Sequence, residues 1–367
     1  MTYERLNCRL CGGPLFMVLE LAPTPLANSF PDKPDSAAER IPLQLMECPE
    51  CHHVQMKHVA DAEVLFSDYK YSTPEAFRPH LEIHARKLMA LNTRAARVLE
   101  IGSNNNLFVD VLRREGFERV VGVDPASPDE RFQRLFTSFF AKEMKEEGWQ
   151  FDLILANNVF AHIDNLGDVF EGINVLLAPE GSLIFEVQYL PSMMESGTFD
   201  MIYHEHHDYH TLNPLVGFLS RHGLVMTDYE FFPVHGGSVR VTAKRTGKAV
   251  RPPREHLDWT GFRLKIEEVG RQTRARIGKR NVVAFGATAK ACTLIHQLGI
   301  ADRIAYCFDE TPQKQGRFIP GTDIPIVNEM GNAKTLFLTA WNYEEVIRKR
   351  FPEMQIITPL LEERKAA

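Results

Sequence analysis

The sequence predicts an α/β protein built from three consecutive parts. Two Cys-x-x-Cys pairs near the N-terminus indicate a small zinc-binding module, which we place at residues 1–75. A succession of apolar strands, a glycine turn and helices indicates a mainly parallel, Rossmann-like sheet over residues 76–247. A basic, proline-containing linker then precedes a second strand–turn–helix unit, so residues 248–367 are expected to form another Rossmann-like domain.

Composition limits the kinds of partner. The chain has 367 residues, of which 44% are hydrophobic, and a formal net charge of −6. A negative charge without a long basic run disfavours nucleic acid or an anionic membrane as the main partner. The N-terminus lacks the pattern of a signal peptide, and no apolar run reaches the roughly 18 residues of a membrane span. We therefore expect a cytoplasmic protein without nucleic-acid or membrane partners.

The two cysteine pairs are Cys8 with Cys11 and Cys48 with Cys51. Each pair carries glycine or proline at its turn, as a zinc knuckle requires. Four thiolates complete a tetrahedral shell and leave no position open, which predicts a structural rather than a catalytic zinc. The alternative is four free thiols in a reduced core.

The first strand of the central part ends at a single glycine. Val98, Leu99 and Ile101 form the strand, and Gly102 follows it. A dinucleotide site would need Gly-x-Gly-x-x-Gly, which is missing. An acid at the end of each of the first two strands and one turn glycine suit S-adenosylmethionine, which has no pyrophosphate; an ordinary βαβ unit is the alternative. The candidate cofactor-binding residues are Glu100, Gly102, Ser103, Asn104, Asp124, Pro125, Asn157 and Asn158.

The other elements follow from apolar spacing and from glycine or proline at their boundaries. We predict helices over 77–91, 107–115, 166–177 and 259–277, and one ending at 298. We predict strands over 98–101, 120–123, 151–156, 182–187, 224–231, 238–244, 282–285 and 304–308. Asn213 is expected to cap a helix with Pro214 at its first position and Gly223 just past its end. The late hairpin is typical of class I methyltransferases, whereas a dehydrogenase would have another βαβ unit there.

Ionisable side chains are unusually dense at residues 203–210, which read Tyr-His-Glu-His-His-Asp-Tyr-His. Histidine titrates near neutral pH and a carboxylate can fix its tautomer, so we interpret the stretch as an acid/base centre. A polar surface loop and a metal site are the other interpretations. The metal interpretation is weaker, because the spacing differs from His-Glu-x-x-His and the cysteines already account for zinc.

These motifs together resemble the sugar-nucleotide C-methyltransferases of deoxysugar biosynthesis, in order and over nearly the whole chain. The resemblance rests on the two cysteine pairs and on residues 69–72 (Tyr-Lys-Tyr-Ser), 98–104, 156–162, 203–206, 235–240 and 285–290. It implies S-adenosylmethionine as cofactor and a structural zinc. It also implies that His206 removes a proton from the carbon beside a ketone, with Glu205 as its partner. Tyr203, His162 and Tyr71 would line the sugar and polarise its oxygen.

One segment departs from the family pattern. The family commonly continues the first turn with Asp and then Gly, whereas this chain has Asn105 and Asn106. Asparagine is the next-best residue for positive φ, so the turn is feasible. Loss of the aspartate removes one contact that could hold the cofactor.

The C-terminal part carries a second glycine turn. Thr288 and Lys290 stand at the start of the helix after it, where the N-terminus can bind a phosphate. A purely structural domain is the alternative. The resemblance favours docking of a sugar nucleotide between this part and the central one, and we assign His235 to substrate binding as well.

The sequence therefore predicts C-methylation of a 4-keto deoxysugar nucleotide by a monomer or weak homo-oligomer. The alternatives are O-methylation of a sugar hydroxyl and a sugar-nucleotide-binding or isomerising homologue that has lost methyl transfer. A zinc-finger nucleic-acid binder is the weakest, because the knuckles lack a basic helix.

Overall fold

The computed structural model describes residues 2–60 and 72–361. Within these ranges the strands form four sheets, and the α/β class with two Rossmann-like sheets is confirmed. The N-terminal part is antiparallel: β1 pairs with β5, and a second sheet has the order β10–β4–β3–β2. The bounds of these strands are β1 Thr2–Glu4, β2 Phe16–Thr24, β3 Ile41–Glu47, β4 Val54–Met56, β5 His58–Ala60 and β10 Asp208–Tyr209.

The central sheet has the order β11–β12–β9–β8–β6–β7. Its strands are β6 Arg97–Ile101, β7 Arg119–Val123, β8 Phe151–Asn157, β9 Leu177–Gln188, β11 Val225–Phe232 and β12 Ser238–Lys244. Strands β6 to β9 run parallel, whereas β12 runs antiparallel to both β9 and β11. The predicted late hairpin is therefore confirmed.

Helices cover both faces of this sheet. They are α1 Arg78–Leu91, α2 Leu107–Glu115, α3 Ser138–Glu146, α4 Leu166–Leu176 and α6 Leu212–Arg221, whereas α5 Leu190–Ser196 packs in the apolar core formed with the N-terminal sheet and the C-terminal part. Side chains alternate along a strand, so Val98 packs with α1 and α2 while Leu99 and Ile101 pack with α3, α4 and α6. Because both faces are buried, Val98, Leu99 and Ile101 are apolar on both sides of the strand.

The C-terminal sheet is parallel throughout, with the order β15–β14–β13–β16–β17. Its elements are α7 Trp259–Ile277, β13 Val282–Phe285, α8 Ala289–Leu298, β14 Ile304–Phe308, β15 Ile326–Val327, β16 Thr335–Leu338, α9 Glu344–Arg350 and β17 Gln355–Ile357. One apolar core joins this domain to the N-terminal sheet, since Leu43 and Leu45 pack in the same cluster as Leu294 and Ile295. This shared core holds the C-terminal domain against the N-terminal sheet.

Two predicted elements need correction. Asn213 does not cap a helix: α6 begins at Leu212 after Thr211, and Pro214 is its third residue. The Glu255 carboxylate accepts hydrogen bonds from the amides of Leu212 and Asn213, at 2.6 and 3.0 Å, and so replaces a local cap. Strand β9 begins at Leu177, five residues earlier than predicted, because Leu177 pairs with Phe151 and an irregularity at residues 178–181 precedes the regular ladder, which resumes at Ser182. In the described part of the chain, no helix has the length and apolarity that crossing a membrane requires.

Candidate active site

Residues 203–210 lie inside the protein, so the surface-loop interpretation is wrong. Every side chain in the stretch is at least 92% buried. The stretch follows a 3₁₀ turn at Phe199–Met201 and continues into β10, whose pairing with β4 ties it to the N-terminal sheet. In the described ranges, the four cysteines are the group of side chains spaced for a metal ion, and the stretch contributes no ligand to it.

Tyr203 and His206 form a buried hydrogen-bonded pair. The Nδ1 atom of His206 lies 2.8 Å from the Met201 carbonyl oxygen and must donate to it. The Nε2 atom is then the acceptor, and the Tyr203 hydroxyl donates to it at 2.7 Å. Burial, and next the neighbouring His162, hold the pKa of His206 well below its usual value, so the imidazole is neutral at neutral pH. A neutral imidazole with a defined tautomer can accept a proton.

His162 stands beside this pair. It ends the 3₁₀ turn Phe160–His162 after β8, and its ring centroid lies 4.7 Å from that of His206. Its Nδ1 donates to the Glu205 carbonyl at 2.8 Å, so the backbone of the stretch fixes its tautomer. Burial lowers the pKa of His162 to about 4. The structure thus brings together three of the five predicted catalytic residues.

Glu205 does not orient His206, contrary to the expectation. Its Oε1 accepts from the amide and the side-chain nitrogen of Asn28, at 2.9 and 3.3 Å. Its Oε2 is buried without a hydrogen-bond partner in the described ranges, and burial raises the pKa of the carboxyl. Met201 holds the imidazole instead; because it does so through a backbone carbonyl, no side-chain pattern could have revealed it. Tyr71 lies outside the described residues.

Lys290 and His235 approach the same region from the other side. The Lys290 ammonium donates to Asn342 Oδ1 at 2.6 Å and lies 4.4 Å from the Trp341 ring centroid. Burial lowers the pKa of Lys290 to about 8, although nearby Asp200 opposes the shift. Burial, and next the Lys290 cation, lower the pKa of His235 to about 4.

Thr288 has a structural role in the described contacts. Its hydroxyl accepts from the Ala291 amide at 3.3 Å and so caps the N-terminus of α8. The Thr288 hydroxyl is therefore engaged in the cap, and Lys290 is the side chain that can bind an anionic ligand here.

The candidate cofactor site occupies the carboxyl edge of β6, β7 and β8. Gly102 has φ +73°, and a Cβ there would lie 2.5 Å from Val159 Cγ2, so a side chain has no room. Glu100 Oε2 and Ser103 Oγ are buried without hydrogen-bond partners in the described ranges. Burial raises the pKa of Glu100 to about 8 and also raises that of Asp124 at the end of β7. Polar atoms left unpaired at a glycine turn fit a ligand such as S-adenosylmethionine.

The remaining cofactor candidates shape this edge. Asn104, Asn106 and Asn158 all have positive φ, at 48°, 61° and 54°. Asn157 and Asn158 are half-buried at the end of β8, and Pro125 directly follows Asp124. Asn105, at the departure from the family pattern, donates to Ser72 Oγ and to the Thr73 carbonyl at 2.9 and 3.0 Å. It therefore fastens the segment before α1 to the turn.

The four cysteines fit a zinc ion. Their sulfurs lie within 4.8 Å of one another, with Cys8 and Cys51 at 3.6 Å and Cys11 and Cys48 at 3.5 Å. A tetrahedral site with Zn–S bonds of about 2.3 Å needs sulfurs roughly 3.8 Å apart. The Gly13 amide donates to Cys11 Sγ, as expected of a knuckle.

Comparison with known proteins gives a relative along almost the full length. C-methyltransferase NovU from Streptomyces niveus is 32% identical over an alignment that covers 98% of this chain and 96% of that protein. The methyltransferase domain family matches residues 75–229, a zinc binding domain family matches residues 8–66, and the C-methyltransferase C-terminal domain family matches residues 258–357.

Solved structures align with parts of the chain. Burkholderia thailandensis 1,6-didemethyltoxoflavin-N1-methyltransferase, bound to S-adenosylhomocysteine, is 18% identical with a TM-score of 0.35, covering 53% of this chain and 96% of its own. Synechocystis magnesium protoporphyrin IX methyltransferase is 14% identical with a TM-score of 0.34, covering 46% and 83%. The identity to NovU along both chains shows that this chain belongs to the zinc-containing, S-adenosylmethionine-dependent C-methyltransferases that its sequence resembles.

Proposed function

We propose that this C-methyltransferase acts on a 4-keto deoxysugar nucleotide and that Tyr203 and His206 together accept the proton from the carbon beside the ketone. The observation that carries the proposal is the buried hydrogen bond from the Tyr203 hydroxyl to His206 Nε2, at 2.7 Å. Methylation at carbon requires loss of a C–H proton, and a tautomerically fixed, neutral imidazole is suited to accept it.

The two side chains act together along that hydrogen bond. Both nitrogens of His206 are engaged, so the Tyr203 hydroxyl takes the proton from carbon while it passes its own proton to Nε2. The electron pair of the C–H bond becomes the enolate. S-adenosylmethionine, when bound, supplies an electrophilic methyl group to that carbon. Burial and the neighbouring His162 lower the pKa of His206, which favours release of the proton from Nε2 after methyl transfer.

Lys290 binds the anionic part of the substrate in this proposal. Its ammonium is buried against Trp341 and Asn342, and its positive charge lowers the pKa of the nearby His235. A diphosphate would receive a charge-assisted hydrogen bond from this ammonium, which is stronger than a neutral one. The sugar ring would then extend towards Tyr203 and His162.

Domain boundaries after residues 75 and 247, a monomer or weak homo-oligomer, and a cytoplasmic location remain predictions.

The test is activity against a small panel of 4-keto sugar nucleotides, with mass detection of a product heavier by one methylene unit. His206→Asn should keep zinc and cofactor binding and lower turnover by about 10²- to 10⁴-fold. Full activity of that variant would exclude His206 from the reaction. Exchange of the carbon-bound hydrogen with solvent, measured without cofactor, separates carbon from oxygen methylation, because O-methylation needs no such exchange. Calorimetry with S-adenosylmethionine tests whether methyl transfer has been lost.

A further inference from the structure

Arg9 lies between two zinc ligands and points away from them. In the sequence Cys8-Arg9-Leu10-Cys11 it occupies the turn of the first knuckle, and its side chain is 3% exposed. Its Nη1 donates to Asp208 Oδ2 at 2.6 Å. Its Nη2 donates to the carbonyl oxygens of Ile163 and Asp164, the latter at 2.8 Å. One guanidinium therefore joins two chain segments that are far apart in sequence.

Those two segments carry the histidines of the active site. Ile163 and Asp164 directly follow His162, and Asp208 lies two residues after His206. The two imidazole rings are 4.7 Å apart between centroids. A planar guanidinium has its donors in a fixed fork, so it sets the separation and the angle of the groups it binds. The Arg9 contacts thus constrain the position of His162 relative to His206.

The second knuckle holds the same carboxylate. His53, two residues after Cys51, donates from Nε2 to Asp208 Oδ1 at 2.7 Å, and its side chain and that of Asp208 are fully buried. Both oxygens of Asp208 are therefore bound by residues adjoining the cysteine pairs. Arg5 in the N-terminal segment also binds the Asp164 carboxylate, which supports the other end of the connection.

We propose that Arg9 is a positioning residue of the methyl-transfer reaction, through which the zinc module holds the His162 and His206 segments in their reactive arrangement. The proposal rests on the proposed function for its kinetic part. Among the described contacts, the Arg9 guanidinium binds Asp208, Ile163 and Asp164 and none of the candidate cofactor residues. Its effect is geometric, and a displacement of about 1 Å can cost about 10²-fold in rate.

The variant that tests the proposal is Arg9→Lys, which keeps the charge but cannot bind Asp208 and the two carbonyls at once. We expect kcat to fall about 10- to 100-fold, with KM and zinc content unchanged. The matched control is Arg221→Lys. Arg221 on α6 donates to the Leu10 carbonyl of the same knuckle but contacts neither histidine segment through that bond. The control should keep the wild-type kcat.

A second readout needs no substrate. In protein labelled with ¹⁵N-histidine, the Nδ1–H groups of His162 and His206 report the hydrogen bonds to the Glu205 and Met201 carbonyls. Arg9→Lys should shift both resonances, and Arg221→Lys should leave them in place. This readout stays valid even if no sugar nucleotide proves to be a substrate, so failure of the proposed function is distinguishable from failure of the positioning role.

Asp208→Asn is a second variant that tests the same contact in case the Arg9 variant loses zinc. It changes the partner of Arg9 without changing any residue of a knuckle turn, and it should reproduce both the kcat loss and the resonance shifts with zinc retained. Wild-type kcat and resonances in either Arg9→Lys or Asp208→Asn overturn the proposal. Equal loss in Arg221→Lys also overturns it, because any disturbance of the knuckle would then have the same effect.

Discussion

Tyr203→Phe removes a single hydroxyl from the centre of the site. The hydroxyl donates to His206 Nε2 at 2.7 Å, and both side chains are over 90% buried. The variant leaves Nε2 buried without its donor, which should lower the free energy of unfolding by about 1–3 kcal/mol. If proton transfer passes through this hydroxyl, kcat should also fall by about 10²- to 10⁴-fold, which corresponds to roughly 2.7–5.4 kcal/mol in the activation barrier. Affinity for the cofactor should not change, because the substitution leaves the candidate cofactor-binding residues, such as Glu100 and Gly102, as they are.

The measurements are kcat and KM, hydrogen exchange at the substrate carbon, and calorimetry with S-adenosylhomocysteine. Tyr209→Phe is the matched control. Tyr209 is equally buried and its ring centroid lies 6.5 Å from that of His206, but among the described contacts its hydroxyl does not bind the imidazole. Hydrogen exchange at the substrate carbon and kcat should both fall strongly in Tyr203→Phe, and both should stay near the wild-type values in Tyr209→Phe. A Tyr203→Phe enzyme with kcat within twofold of wild type would refute proton transfer through the Tyr203 hydroxyl. The tyrosine would then have only a packing role in the site.

Three further predictions concern the cofactor turn, acid stability and the substrate. Gly102→Ala should abolish binding of S-adenosylhomocysteine and lower the free energy of unfolding by about 2–5 kcal/mol, since a left-handed backbone costs about 1–2 kcal/mol and the clash with Val159 adds about 1–3 kcal/mol. Gly148→Ala is the control, because Gly148 has φ +89° but open space around it; urea unfolding should show only the backbone cost, and the cofactor should bind normally. His162 and His235 have pKa values of about 4 in the folded protein, below the ordinary 6.5, so the unfolded chain takes up protons first and stability falls as the pH drops from 6.5 towards 4. Each should cost about 1.4 kcal/mol at pH 5.5, and His162→Asn should remove its share in urea unfolding with zinc content monitored; an unchanged pH dependence contradicts the neutral state of these half-buried histidines. Lys290 loses its charge above its pKa of about 8, so KM for the sugar nucleotide should rise above that pH. Lys290→Met should raise KM roughly 10- to 100-fold at pH 7 and remove this pH dependence. A wild-type KM in that variant would exclude Lys290 from substrate binding.

Local signals made several elements predictable to the residue. The helix Leu107–Glu115 ends where Gly116 adopts φ +114°, and the helix Trp259–Ile277 begins after the Asp258 side chain caps it. The cysteine pairs are also local, because each knuckle is built from neighbouring residues. These features depend on contacts within a few positions of the chain, which a single sequence displays directly.

Distant contacts explain what the sequence did not reveal. The helix start at Leu212 depends on a carboxylate 43 positions away, and the partner of Glu205 lies 177 positions away at Asn28. No periodicity encodes either contact. The stretch at residues 203–210 was recognisable as chemically unusual, but its burial depends on packing between the central domain and two other parts of the chain.

The pairing of β10 with β4 also bears on how the chain assembles during synthesis. Strand β4 leaves the ribosome long before its partner, since the bond between His53 and Asp208 spans 155 positions. Until then the outer edge of β4 exposes unpaired backbone groups, which are a template for association with other chains. A fragment limited to residues 1–75 would keep that edge open and should aggregate. The knuckles are nevertheless built from neighbouring residues, so they can form early and hold β4 in place until residues 203–210 are synthesised and β10 pairs with it.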